Sequence, residues 1–353
     1  MRGWLPLPPE LTDDELVGWT SRLIQPVAVT GATGFIGVNL VEALVRASLR
    51  PRALVRKMSR LPAELAPAVE PVVGDLHDPG ALRELLRGAA TVFHLAGLVR
   101  APGEGAFDRA NRVGTASLVE AVAEVAPGAR LVHLSSLAAA GPSPDPRGRA
   151  PEDEPAPVSA YGRFKLAGER AVRQHPGPWV VVRPPAVYGP RDIDILQFFR
   201  LAARGVVPIP AGERFVTVVY VADVVRAVLA AASGAATGRV LHLGEPSPLR
   251  ISELVAAIAQ AGGVKARILP LPPWVLKVAG RVGDGLQHLG FRRVAMTSDK
   301  ADELLARHWS AHTAASIEAL GLTGYVPFDL GAASTWEWYR KRGWVPHAKM
   351  RHV

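Results

Sequence analysis

A chain of 353 residues, 48% hydrophobic and 21% charged, is long enough for two domains of about 150 residues and too apolar to be globally disordered. It contains no cysteine, which excludes disulfides, thiolate metal sites and a cysteine nucleophile. Its net charge of +9 is scattered, with no dense Lys/Arg block interleaved with aromatics, so nucleic acid is not an expected partner.

The N-terminal stretch MRGWLPLPPELTDDELVGWTSRL lacks the apolar core of a signal peptide, because Asp13, Asp14 and Glu15 fall where it would lie. Thr12 and Glu15 have the spacing of a capping box, so a short helix is expected inside a helical arm over residues 1–25. From Pro26 onward short apolar runs alternate with helical spacing. Strands are expected at VAVTG, 52–56, 69–76, 90–97 and 129–136, with helices at GFIGVNLVEALVRAS, ALRELLRG and 110–126. This alternation predicts an α/β fold with a doubly wound, Rossmann-type parallel sheet over residues 26–183. The Pro-rich segment 138–160 reads as a long loop, followed by a helix at 160–174, a strand at 179–184 and an irregular stretch to about 215. Residues 184–353 are expected to form mostly a smaller substrate-binding lobe, with 217–244 returning to the sheet. Ser252 is the expected N-cap of a helix over 252–263, and the remainder reads as helical and irregular. No apolar run approaches the ~20 residues that span a bilayer. The basic C-terminal run WYRKRGWVPHAKMRH reads as a solvated tail.

Gly31, Gly34 and Gly37 sit three apart between an apolar strand and an amphipathic helix. Such a turn exposes the first N–H groups of the helix, at the positive end of its dipole, to a pyrophosphate. The T-G-x-x-G-x-x-G spacing resembles the extended branch of the short-chain dehydrogenase/reductase superfamily, and the resemblance runs through nearly the whole chain after Pro26. It implies a nicotinamide dinucleotide held at the turn by Gly31, Thr33, Gly34, Phe35, Ile36 and Gly37. Nineteen residues past Gly37 stand Arg56 and Lys57, with no acidic residue between Glu42 and Glu64. A guanidinium suits a ribose 2′-phosphate, so NADP(H) is preferred over NAD(H), which stays possible. The resemblance further implies Asp75 and Leu76 at the adenine, Leu95, Ala96 and Gly97 along the cofactor, and Pro185 and Val187 beside the carboxamide.

Tyr161 and Lys165 are four apart, hence on one face of the helix that follows the loop. An ammonium beside a phenol favours the phenolate, so Lys165 is expected to lower the Tyr161 pKa as well as to hold the ribose. The resemblance, aligned on the spacing from the two serines to the following glycine, implies that Ser136 holds the substrate oxygen, with Ser135 structural. Asn111 matches the family's helix-start asparagine, which positions groups near the lysine, and a plain helix cap explains it equally well. Asp223 reads as scaffold. His94, His133 and His242 lie singly on strands, and no metal is expected.

The stretch around VVGDLHDPGALRELLRGAATVFHLAGLVR is similar to the 3β-hydroxysteroid dehydrogenase and dihydroflavonol reductase group. This implies an oxidoreductase that interconverts a secondary alcohol and a ketone on an apolar small molecule. The alternatives are a nucleotide-sugar epimerase or dehydratase with tightly bound NAD, and a non-catalytic NADP-binding sensor. Phe198 and Phe199 fit either an apolar pocket or an ordinary core. The stretch 271–291 could face a membrane, but Lys277 and Arg281 are two cations only, and packing is the favoured reading. The family resemblance implies a homodimer through helices 105–126 and 160–174, and a cytoplasmic location is expected.

Overall fold

The computed structural model describes residues 12–346, apart from 102, 235, 290, 292, 293 and 295. Seven strands form one parallel sheet: β1 (Val27–Thr30), β2 (Arg52–Val55), β3 (Glu70–Val73), β4 (Thr91–His94), β5 (Arg130–Leu134), β6 (Trp179–Arg183) and β7 (Arg239–His242). Their order is β3-β2-β1-β4-β5-β6-β7, every neighbouring pair parallel. β1 and β4 are buried at every residue, as strands covered on both faces must be. Helices Phe35–Arg46 and Val221–Ala232 pack Leu40, Leu44, Val224 and Val228 on one face. Helices Pro79–Leu86 and Gly114–Val125 pack Leu82, Leu85, Leu118 and Val122 on the other. The order reverses between β1 and β4, and the crevice beyond their carboxyl ends is where ligands sit in such sheets.

The expected capping box is formed: Glu15 N–H donates to Thr12 Oγ1 at 3.2 Å and Thr12 N–H to Glu15 Oε2 at 3.1 Å, opening the helix Asp13–Thr20. The rest of the expected arm, residues 1–11, lies outside the described residues, as do residues 347–353 of the basic tail.

Several boundaries differ from the sequence reading. β4 stops at His94 rather than at residue 97: Leu95 N–H makes the last ladder bond, to the Thr30 carbonyl at 3.1 Å, and Leu98 N–H has left the sheet for Asn111 Oδ1 at 3.0 Å. The helix expected at 110–126 begins at Glu104 and passes through a π-helical turn, Asp108–Val113, before Gly114–Val125. Ser252 is not a cap. The helix Ile251–Gly262 is opened by Glu253 reaching back to the Arg250 N–H at 2.9 Å. The stretch expected to be irregular holds a strand Ala186–Tyr188, a helix Leu196–Ala203 and a strand Val206–Pro210. The first strand is too short, and the last too proline-interrupted, to show a period. Phe199 is core: fully buried, its ring lies 5.3 Å from Trp336 and 5.1 Å from Tyr339.

Candidate active site

The glycine turn joins β1 to the helix Phe35–Arg46 at the crevice. Gly31 has φ +74°, and a Cβ there would stand 2.5 Å from Ala96 N, so glycine alone fits. A Cβ on Gly37 would stand 2.0 Å from the Gly31 carbonyl oxygen, which lets the helix press directly against the turn. Gly34 is the exposed N-cap, and no side chain caps the first turn. The turn thus keeps its donors for a ligand, as a dinucleotide pyrophosphate requires. Thr33, Phe35 and Ile36 are partly buried along it. Asn39 Nδ2 donates to Phe35 O at 2.8 Å, and Arg191 bridges Asn39 Oδ1 at 3.1 Å and Glu42 at 2.9 Å, tying this helix to the loop after Tyr188.

Arg56 and Lys57 stand exposed just past β2. Asp75, exposed beyond β3, accepts the His77 N–H at 2.8 Å, while Leu76 is buried beneath Gly114. Leu95 and Ala96 are half-buried beyond β4 and Gly97 is exposed. Pro185 and Val187, partly buried, lie in and before the short strand Ala186–Tyr188.

Tyr161 and Lys165 lie on the helix Ala160–Val172. Its N-cap Ser159 accepts from Gly162 N–H at 3.1 Å, and the Ala160 N–H donates to Asp299 Oδ1 at 2.7 Å. The sequence reading missed Asp299, which lies 139 positions away. Ser136 caps the short helix Leu137–Ala140 at the end of β5 and is hydrogen-bonded to the Tyr161 hydroxyl. Lys165 is buried, and its Nζ donates to the Leu134 carbonyl at 2.7 Å. A Cβ on Gly97 would lie 3.6 Å from that Nζ and 2.7 Å from Asn111 Oδ1, so the glycine strand end, the lysine and the asparagine converge.

Asn111 is neither a helix start nor a cap. It lies in the π-helical turn, where its amide pairs with the Leu98 backbone in both directions, at 3.0 and 2.9 Å. It therefore fixes the loop after β4. A wider helical turn aims such a side chain off the regular face.

Burial pushes the Tyr161 hydroxyl up to about 12, against the hydrogen bond from Ser136, and the charges of Glu303 and Asp194 push the same way. The expectation that Lys165 lowers it is not met: the ammonium, held on the Leu134 carbonyl, is not among the groups that shift the phenol. Burial brings Lys165 itself down to about 8, opposed by Glu169. Below it, His94 and His133 stack at 4.9 Å, both held neutral by burial and by the Lys165 charge.

Glu169 and Arg183 were also missed. Both are fully buried: Arg183 Nε and Nη2 donate to Glu169 at 2.9 and 2.7 Å, and Ser135 Oγ donates to the same carboxylate at 2.5 Å. Ser135 thus has the structural place expected of it. Glu169 stands eight residues past Tyr161 and four past Lys165, a helical spacing that was open to reading. Asp223 accepts the Val326 N–H at 2.9 Å and the Arg226 guanidinium at 2.5 Å, as scaffold does.

Asp194 pairs with Arg100 at 2.5 Å, bringing the loop after β4 and the loop after Tyr188 together near the Tyr161 hydroxyl. Beside these residues Val99, Ile193 and Val158 are 58%, 60% and 38% exposed. No group of three or more His, Asp or Glu residues able to hold a metal occurs among the described residues.

A model of the NAD dependent epimerase/dehydratase family matches residues 27–244. A ceramide reductase of Caulobacter vibrioides (strain NA1000 / CB15N) is 37% identical over 328 residues, 91% of this chain and 96% of its own length. A 4-hydroxy-2-methyl-3-oxo-4-farnesyl-3,4-dihydroquinoline-1-oxide ketoreductase of Stigmatella aurantiaca is 30% identical over 272 residues, 73% and 79% of the two chains. Among solved structures, MoeE5 in complex with UDP-glucose and NAD superposes with a TM-score of 0.71 at 26% identity, covering 90% of this chain and 99% of its own.

Proposed function

The chain belongs to the NAD-dependent epimerase/dehydratase family, and from that premise we propose that it is an NADP(H)-dependent reductase of a ketone on an apolar, lipid-like molecule. The observation that carries the substrate class is three exposed apolar side chains, Val99, Val158 and Ile193, next in sequence to Arg100, Ser159 and Asp194. Water-facing apolar groups at a site mouth favour a substrate that covers them. Relatives named for a ceramide and for a farnesylated ring agree with that class.

A bound nicotinamide dinucleotide supplies the hydride. Tyr161 gives its phenolic proton to the carbonyl oxygen as the alcohol forms, and Ser136 Oγ holds that oxygen. A phenol pushed up to about 12 is fully protonated at neutral pH, the state that reduction needs. Lys165 would offer its positive charge to the ribose of a bound dinucleotide, while Asn111 and Gly97 hold the adjoining loop close to the lysine.

NADPH consumption with a long-chain ketone tests this reading. Wild-type protein is expected to turn over, and Tyr161→Phe to lose at least about a hundredfold in kcat while binding NADPH within about threefold of wild type. Substantial residual turnover removes Tyr161 from its role. The second reading, a nucleotide-sugar epimerase, is favoured by the likeness to MoeE5. Purified protein that carries NAD through dialysis and interconverts UDP-sugars without net NADPH use would establish it instead. Cofactor binding without turnover of either substrate class would leave a sensor.

A further inference from the structure

The helix Pro273–His288 has two working faces, and folding uses one of them. Inward, Gly280 and Gly283 let it press onto the backbone of Ser298 and Met296, where a Cβ would stand 2.9 and 1.7 Å away. Outward, Trp274, Val278 and Val282 follow one another at four-residue spacing and are 66%, 49% and 58% exposed. Leu289 and Phe291, just past the helix, are exposed as well. Isolated apolar side chains on a surface are ordinary, whereas a continuous stripe marks a surface that something covers.

Lys277 and Arg281, exposed and also four apart, run alongside the stripe, and neither has an ion-pair partner among the described residues. The helix's one acid, Asp284, is turned inward and accepts the Ser298 N–H at 3.2 Å. The outward surface is therefore apolar and bordered by two cations, with one acid beside them, Asp302 of the neighbouring helix, which lines a cavity with both. A second copy docked symmetrically would set this cationic row against itself. An anionic lipid surface meets the positive charge that Asp302 leaves over and takes up the stripe, the pattern of helices that lie in a membrane interface.

We propose that this face seats the protein on an anionic lipid bilayer. The seat lies close to the chemistry. The helix packs on Ser298–Leu305, whose Asp299 holds the Ala160 N–H and whose Glu303 charge acts on Tyr161. A bilayer here is one helix away from the reacting hydroxyl, so an apolar ketone reaches it without crossing water. That delivery rests on the functional reading above; the docking itself does not.

Flotation of the full chain with vesicles of phosphatidylcholine alone, or mixed with phosphatidylglycerol, tests the docking without turnover. The protein is expected to float with the mixed vesicles and to be released by salt. Each cation at an anionic surface is worth about a fivefold change in partition, so Lys277→Gln with Arg281→Gln is expected to cost about 25-fold. Val278→Asp with Val282→Asp is expected to abolish flotation, and both pairs to keep the wild-type melting temperature because the side chains are exposed. Three results overturn the proposal: a wild-type chain that floats with neither vesicle, a Val278→Asp/Val282→Asp protein that floats like wild type, or a wild-type dimer that this variant splits, which would put a second copy on the face. Docking without reduction of the lipid ketone leaves the seat standing and removes the functional reading.

Discussion

Arg56 stands exposed at the strand end where the two nicotinamide cofactors differ only in a ribose 2′-phosphate. A charge-assisted hydrogen bond there contributes about 1.5–3 kcal/mol, so Arg56→Ala is expected to weaken NADPH about 10- to 100-fold and NADH hardly at all. Titration of both cofactors by fluorescence checks this; an equal loss for the two, or tighter NADH binding by wild type, would contradict a phosphate role. Lys165 allows a second test at the same scale. Burial holds it down to about 8, so its charge is lost as pH rises through that value. Ketone reduction is accordingly expected to have a falling limb in kcat/KM near pH 8, and Lys165→Arg, which keeps its charge, to remove the limb. A flat profile to pH 9.5 in the wild-type enzyme would exclude it. Lys165, Tyr161 and the glycines were legible because each residue type answers a local chemical need at a local spacing. Glu303 and Asp194, which act on the same phenol from distant segments, carry no such spacing.

Along the helix Ala160–Val172, Tyr161, Lys165 and Glu169 recur at one-turn intervals, so one element both presents the proposed proton donor and anchors itself to the sheet. Glu169 is fastened to Arg183 of β6 in full burial. Breaking such a pair leaves an uncompensated buried charge and costs about 3–5 kcal/mol, whereas replacing both partners costs much less. Glu169→Gln is therefore expected to lower the urea midpoint sharply, and Glu169→Gln with Arg183→Met to recover most of the loss. A double variant no better than the single would show that the pair is not the anchor. Most elements of the sheet were legible because fully apolar strands alternating with amphipathic helices leave few other folds. The π-helical turn Asp108–Val113 was not, since one extra residue in a turn changes no hydrophobic period. Nor could composition tell that Trp274, Val278 and Val282 face outward, because an apolar stripe looks the same whether a neighbour covers it or not.

At the scale of the molecule, folding brings residues separated by more than a hundred positions to the carboxyl ends of β1, β4 and β5, and buries several titratable groups in doing so. Their opposing signs shape the stability profile. His94 and His242 are pushed down to about 3 by burial, and His133 well below its ordinary value. The unfolded chain protonates these rings near pH 6.5 and the folded one does not, so each withdraws stability as pH falls below about 6.5. Buried Glu245 and Asp192 are pushed up to about 7 and about 6, with Asp223, Asp299 and Glu42 raised in the same direction. These hold protons that the unfolded chain releases near pH 4, and they withdraw stability as pH rises above that value. From about pH 4.5 to 6.5 the two sets oppose each other and the profile is shallow. Below about pH 4 the raised carboxyls are protonated in both states, while the histidines, and the arginine-paired Asp108 and Asp145 whose pKa values are lowered, still differ. Stability is then expected to fall by about 1.4 kcal/mol per pH unit for each ring, down to about pH 3. Urea unfolding in steps from pH 7 to 3.5 reads this directly: the midpoint should change little down to about pH 4.5 and drop steeply beyond. A midpoint that does not drop below pH 4.5 would mean that the stacked histidines beneath Lys165 already carry protons in the folded protein, and an even decline from pH 6.5 would mean that the buried carboxyls do not offset them.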